Sequence, residues 1–323
     1  MTYLLTGAAG FIGFHTSMRL LKRGEKVVGL DNVNDYYDVR IKHARLEQLK
    51  AFPNFTFHQI DISDRAAMAE MIKGHQDVKR IIHLAAQAGV RYSLINPYAY
   101  TQANIEGHLV MLETARALPK LEHMAYASSS SVYGGNVKLP FSVDDRVDNP
   151  ISLYAATKKA NELMAHCYSH LFKIPTTGFR FFTVYGPWGR PDMSAFLFTK
   201  AIFENKPIHV FNNGDMSRDF TFVQDIVSGV VAATDSPPSG DLPYRVYNIG
   251  NNRSEKLTRF IELIEQACGK KAEVILEPMQ PGDVKETYAD IEAIRRDHGY
   301  EPTTSIDEGI PQFVEWYRQF YNV

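Results

Sequence analysis

Short apolar runs alternate with longer amphipathic stretches through the first half of the chain. The runs Tyr3–Thr6, Lys26–Asp31, Thr56–Asp61, Arg80–Leu84, His123–Ala127 and Thr176–Phe182 read as strands. Between them Gly10–Arg23, Val39–Leu49, Arg65–Gly74, Pro97–Leu118 and Leu153–Phe172 place apolar residues at helical spacing. This alternation predicts a parallel sheet with helices on both faces. Right-handed crossovers then order the strands into a doubly wound α/β domain.

After about residue 183 the texture changes. Prolines 187, 191, 207, 237, 238 and 243 punctuate it, with turns at Asn212-Asn213-Gly214 and Gly250-Asn251. Helices are expected at Ser194–Glu204, Gln224–Thr234, Leu257–Cys268 and Ile310–Tyr321, and Val246–Ile249 reads as a strand rejoining the sheet. The expected division is residues 1–182, with returning elements near 220–250, and a smaller mixed lobe over 183–323. No internal repeat is visible.

Composition narrows the partners. The 323 residues carry 35 basic and 37 acidic side chains, so no broad field of one sign invites nucleic acid or an anionic membrane. Anion binding has to be local. No run approaches a membrane span, and a strand starting almost at Met1 leaves no room for a secretory signal. The two cysteines cannot build a disulfide framework, and a cytoplasmic location is expected. The eleven histidines show no metal-ligand spacing, so no metal is expected.

The strongest local signal is Thr6-Gly7-Ala8-Ala9-Gly10-Phe11-Ile12-Gly13, which follows a strand and opens a helix. Gly7 permits a sharp turn, Gly10 a close approach to a pyrophosphate, and Gly13 close helix–strand packing. The helix start at Phe11 and Ile12 offers unpaired amides to phosphates. Asp31 ends the second strand, 18 residues after Gly13, where a carboxylate bonds ribose hydroxyls and repels a 2′-phosphate. That favours NAD over NADP. Asn32 adjoins it, and Asp61 and Ile62, ending the third strand, are expected near the adenine.

Tyr154 and Lys158 stand four apart on one helical face. A phenol titrates near ~10, too high for a good base at neutral pH, but a nearby ammonium and a positive nicotinamide ring both favour phenolate. Tyr154 could then take a hydroxyl proton while the ring takes hydride. Ser128-Ser129-Ser130-Ser131-Val132-Tyr133-Gly134 follows the fifth strand, at the ligand end of an open sheet.

The glycine triplet, His83-Leu84-Ala85-Ala86, Asn104 and Tyr154-x-x-x-Lys158 resemble the extended short-chain dehydrogenase/reductase family over nearly the whole chain. The resemblance implies a Rossmann domain and a catalytic set of Ser129, Tyr154 and Lys158. Ser129 is implied because the family's reacting hydroxyl lies four residues before the Tyr133-Gly134 pair. Leu84, Ala85, Ala86 and Asn104 are implied in cofactor binding, and Lys158 in holding the nicotinamide ribose. Sugar-nucleotide dehydratases of this type carry Asp-Glu after the hydroxyl, and uronate decarboxylases a Glu in the loop. This chain has Ser130 and Ser131, which leaves epimerisation as the default.

Longer stretches are similar to the bacterial UDP-glucuronate 4-epimerases. They are Leu30–Asp38, Ala86–Ser93, Ser128–Ser131, Tyr154–His166 and Phe181–Met193. The resemblance implies reversible conversion of UDP-glucuronate to UDP-galacturonate through a 4-keto sugar. Ser129, Ser130, Ser131 and Thr183, where galactose-type enzymes have Asn, could hold the sugar carboxylate; Arg91 is an alternative partner. Arg218 resembles a diphosphate contact, and Asp283 of Pro281-Gly282-Asp283 a uridine-ribose contact. Gln280 stands where many relatives have Arg, so one phosphate contact is missing or supplied elsewhere, as by Arg190. Homodimerisation through Pro97–Leu118 and Leu153–Phe172 is the family habit. The competing readings are a 4-epimerase of a neutral UDP-hexose, a UDP-glucuronate decarboxylase, and a non-catalytic NAD-binding scaffold.

Overall fold

Parallel pairing joins the apolar runs into one sheet. A computed structural model describes residues 1–280 and 282–323, so Pro281 lies outside the described residues. It contains β1 (Thr2–Thr6), β2 (Lys26–Asp31), β3 (Phe55–Gln59), β4 (Arg80–His83), β5 (His123–Ser129), β6 (Thr176–Phe181) and the strand Tyr244–Ile249. Their spatial order is β3-β2-β1-β4-β5-β6 followed by Tyr244–Ile249, every pair parallel. The order reverses between β1 and β4, which opens a crevice at the carboxyl ends of the strands.

The sheet is covered on both faces, which is why its central strands are apolar without alternation. Successive residues serve opposite cores. Leu5, Val27, Ile82 and Phe179 pack with Phe14, Leu20, Val227 and Val230. Leu4, Val28, Ile81 and Met124 pack with Met68, Met111, Ala115 and Ala165 on the other side. Helices α1 (Phe11–Lys22), α2 (Val39–Lys50) and α3 (Arg65–Lys73) belong to these layers, as do Leu153–Phe172 and Val223–Asp235. The returning elements extend further than 220–250, because the helix Glu292–His298, not foreseen in the sequence, also packs on Tyr244–Ile249 and Val223–Asp235.

A third core forms the smaller lobe. Phe196, Phe220, Phe260, Phe313 and Trp316 meet between the helices Ser194–Phe203, Leu257–Cys268 and Ile306–Tyr321. Phe220 and Phe260 stack with centroids 3.9 Å apart. Three two-stranded pairs complete the lobe: Thr183–Tyr185 with Phe220–Phe222, Ser217–Arg218 with Glu255–Lys256, and Ile208–Val210 with Val274–Leu276.

Two helices differ from the sequence reading by more than one residue. The expected helix Pro97–Leu118 is a turn at Pro97–Tyr100, a π-helical segment Thr101–Glu106 and an α-helix Gly107–Ala117. Inside the wide turn Asn104 is buried and bonds Gln87 N (2.8 Å), Gln87 O (3.0 Å) and Thr157 Oγ1 (3.0 Å). The Asn104 carbonyl in turn accepts from the Asn161 side chain (2.6 Å). The last helix begins at Ile306 rather than Ile310, started by a capping box of Ser305 and Glu308. No helix among the described residues is long and apolar enough to cross a membrane.

Candidate active site

A cavity of about 430 Å³ runs along the carboxyl ends of the sheet strands. One end is a dinucleotide cradle lined by Gly7, Gly10, Phe11, Ile12, Gly13, Asp31, Asn32, Asp61, Ile62, Leu84, Ala85 and Ala86. Gly7 has φ +75°, and a Cβ there would meet Ala85 N at 2.9 Å; a Cβ on Gly13 would collide with the Gly7 carbonyl. The cap residue of α1, Gly10, places no side chain over the first-turn amides. Those amides have no partner within the helix and face the site where phosphates would lie.

Asp31 accepts from Ala9 N (3.1 Å) and Val33 N (2.8 Å). Burial pushes its carboxyl up, while Lys42 and the two amides oppose the rise. Asn32 Nδ2 donates to Asp61 (2.9 Å). Asp61 and Ile62 lie beyond the end of β3, not in the strand as expected, because the chain turns there and Asp61 accepts from Ser63 N and Oγ. Burial raises the Asp61 carboxyl, but the bonds from Ser63 and Asn32 carry it below its ordinary value. Asn104, expected at the cofactor, is absent from the cavity lining and instead fixes the Gln87 backbone.

The middle of the cavity brings Ser129, Tyr154 and Lys158 together. Strand alternation turns neighbouring serines apart. Ser128 Oγ donates inward to Glu162 (2.7 Å), whereas Ser129 Oγ accepts from Ser131 N (3.2 Å) and Ser131 Oγ (2.9 Å). Ser129 therefore keeps its own O–H to donate. Tyr154 and Lys158 sit near the start of Leu153–Phe172, which Ser152 caps through Ala155 N.

Lys158 Nζ donates to Ala127 O (2.9 Å), and burial lowers its pKa to about 8. Burial raises the Tyr154 phenol; the charge opposing that rise is Arg190, aided by a Ser129 hydrogen bond, with Asp192 adding to the rise. The ammonium is turned to the β5 carbonyl instead.

The remaining wall holds Ser130, Ser131, Thr183, Arg190, Arg218 and Asp283. Arg190 forks onto Asp192, to which Tyr36 also donates (3.1 Å). Arg218 donates to Ser217 O (2.8 Å) and Lys285 O (3.0 Å) and makes no ion pair with its neighbour Asp219, which is fully buried among backbone amides. Arg91 is not in the lining. It pairs with Asp283 (2.8 Å), itself a lining residue, and lies over the Phe211 ring. Among the described lining residues the carboxylates are Asp31, Asp61 and Asp283; Asp192, behind Arg190, is the carboxylate whose charge reaches Tyr154.

Tyr36, Lys42 and Gln87 also line the cavity and were not singled out in the sequence. Tyr36 and Gln87 fall within stretches that carry the family resemblance, which was the available signal. Lys42 shows only as a polar position on an amphipathic helix.

Comparison with known proteins agrees with this geometry. The family model described as GDP-mannose 4,6 dehydratase matches residues 4–313. An uncharacterized 37.6 kDa protein of Escherichia coli O111:H- is 53% identical, covering 100% of both chains. A probable UDP-glucuronate 4-epimerase of Rhizobium meliloti (strain 1021) is 47% identical over 99% of this chain and 98% of its own length. The crystal structure of a UDP-glucuronic acid 4-epimerase from Bacillus cereus, in complex with UDP-glucuronic acid and NAD, superposes with a TM-score of 0.92. It is 34% identical, covering 99% of this chain and 100% of that one.

Proposed function

The chain belongs to the GDP-mannose 4,6 dehydratase family, and from that premise we propose that it is an NAD-dependent epimerase interconverting UDP-glucuronate and UDP-galacturonate. The observation that carries this reading is that Ser129, Tyr154 and Lys158 meet in one cavity with the hydroxyls of Ser130, Ser131 and Thr183. Dehydration needs an acid to expel water, and the positions that would supply it are Ser130 and Ser131. The Rhizobium relative and the Bacillus structure support the uronate as substrate.

In this reading NAD, held by the glycine cradle and Asp31, supplies a reversible hydride acceptor at C4 of the sugar. Tyr154 takes the proton of the 4-hydroxyl and returns it. Ser129 donates to the same oxygen through the O–H that Ser131 leaves free. Lys158, oriented by Ala127 O, contacts the nicotinamide ribose. Ser130, Ser131 and Thr183 bind the sugar carboxylate without adding charge. A 4-keto uronate is a β-keto acid that loses carbon dioxide readily, so neutral hydroxyls that hold its carboxylate away from the cleavage geometry protect it. The keto sugar then turns and presents its other face. Arg218 and Asp283 take the nucleotide diphosphate and ribose.

The proposal includes a homodimer. Tyr98, Leu163 and Leu171, on the segments the family uses, are exposed apolar side chains. It also includes a cytoplasmic site of action, supported by two free thiols, Cys167 and Cys268.

Incubation with UDP-glucuronate and no added NAD, followed by separation of the sugars, tests the reading. UDP-galacturonate should form, and Tyr154→Phe should bind NAD yet lose turnover by ~10²–10⁴-fold. UDP-xylose as main product would favour the decarboxylase, and faster turnover of UDP-glucose the neutral-sugar epimerase. Full activity of Tyr154→Phe would overturn the catalytic assignment.

A further inference from the structure

The largest fully buried side chain among the described residues is a charged one, and the mechanism above does not use it. Arg45, on α2, is fully buried. Its NH1 donates to Ala9 O (2.7 Å) and Tyr37 Oη (2.9 Å); its NH2 donates to Trp188 O (2.6 Å) and Gly189 O (3.3 Å). Ala9 lies inside the glycine-rich loop, between Gly7 and Gly10. Trp188 and Gly189 immediately precede Arg190. One guanidinium thus ties the dinucleotide cradle to the turn that carries Arg190, whose charge opposes the rise of the Tyr154 phenol.

The turn depends on such ties. Trp188 has φ +62°, a left-handed conformation that bulky residues rarely adopt, and it persists where surroundings over-determine it. His15 Nε2 bonds Pro187 O (2.8 Å), and Phe14 packs on the Trp188 ring at 5.6 Å. Beyond Arg190, Tyr36 holds Asp192, the partner of the Arg190 fork. These anchors come from the first 45 residues, which supply the glycine loop and Asp31 of the cradle; Trp316 and Phe320 of the last helix also pack on the Trp188 ring, at 5.3 and 5.2 Å.

We propose that Arg45 is a positioning residue, which fixes Arg190 on the cavity wall shared with Tyr154 by locking the Pro187–Arg190 turn to the glycine-rich loop. Arg45 touches neither sugar nor reacting atoms in this arrangement. It acts through the backbone carbonyls it binds, and it makes the setting of the phenol depend on the cradle being correctly formed. The inference deepens the proposed function, since it rests on Tyr154 as the proton acceptor. The groups facing that phenol are Arg190 and Asp192 from the turn, Ser129 from β5 and Tyr100 before the π segment, with Lys158 one turn along its own helix.

The test is an ultraviolet titration of the Tyr154 phenolate in the NAD-loaded protein. The signal is isolated by subtracting the matching Tyr154→Phe variant in each background. Arg45→Met should move the Tyr154 midpoint upward, because Arg190 is no longer held where its charge favours phenolate. In an Arg190→Met background the same change should add no further shift. Arg45→Lys keeps the charge but reaches fewer of the four acceptors, so a smaller upward shift is expected; it decides the matter where Arg45→Met does not fold. An unmoved midpoint in a folded Arg45 variant, or an equal shift without Arg190, would overturn the proposal. A merely structural arginine would lower the melting temperature without moving the titration. No sugar substrate is needed, so a failure to turn over UDP-glucuronate would sink the proposed function without touching this result.

Discussion

The Arg180 guanidinium forks onto the Glu162 carboxylate beneath the active site, with Nε to Oε1 at 2.8 Å and NH2 to Oε2 at 2.9 Å. Both side chains are buried. Glu162 also accepts from Ser128, the residue before Ser129, and Arg180 donates to Tyr133 at the end of the same loop (3.1 Å). The pair therefore braces both ends of the Ser128–Tyr133 segment from below. Removing one partner strands a buried charge, which costs about 3–5 kcal/mol. Arg180→Met should lose that much in urea unfolding, whereas Ser128→Ala should lose only about 1 kcal/mol, the worth of one hydrogen bond. A loss below 1 kcal/mol for Arg180→Met would show that the pair does not brace the loop.

Lys158 gives an unusual pH dependence. Its folded pKa, about 8, lies below the ordinary 10.5 because burial disfavours the charged form. Below pH 8 both folded and unfolded chains hold the proton, and the burial cost is present in full. Between 8 and 10.5 the unfolded chain holds more protons, so stability gains with rising pH. The gap corresponds to about 3 kcal/mol at most. The stability of the cofactor-free protein relative to Lys158→Met should therefore rise from pH 7.5 to 10. A flat or falling difference would mean that the ammonium is better solvated than its contact with Ala127 O implies.

The hydroxyl wall makes a prediction about product partition. Thr183→Val or Ser130→Ala should release the sugar carboxylate from its resting orientation and divert part of the 4-keto sugar to carbon dioxide and UDP-pentose. Chromatography of the nucleotide sugars reads the ratio directly. An unchanged ratio in both variants would place control of decarboxylation elsewhere in the cavity.

Much of this arrangement was legible in the sequence, for physical reasons. A parallel sheet buried on both faces demands apolar runs such as Tyr3–Thr6 and Arg80–His83, and those stood out. The turn at Gly7 and the close approach at Gly13 admit no side chain, so the glycine spacing showed the cradle. The π segment did not show, since one widened turn shifts the apolar register by only one residue; the backbone itself reveals it. The start of the last helix was masked by Gly309 and Pro311, although Ser305-x-x-Glu308 marked it. The two- and three-residue strands of the small lobe are too short for a period to register. Arg45 read as one polar position of an amphipathic helix, because burial of a charge depends on carbonyls far away in sequence. Arg91 pairs with Asp283 for the same reason: its partner is set by the fold, not by its neighbours.

The most direct measurement uses UDP-glucuronate carrying deuterium at C4. The label should be retained at C4 of the UDP-galacturonate formed, in protein given no free NAD, because hydrogen leaves and returns at one carbon within one binding event. Loss of the label to solvent during conversion, or a pentose as main product, would contradict the central claim.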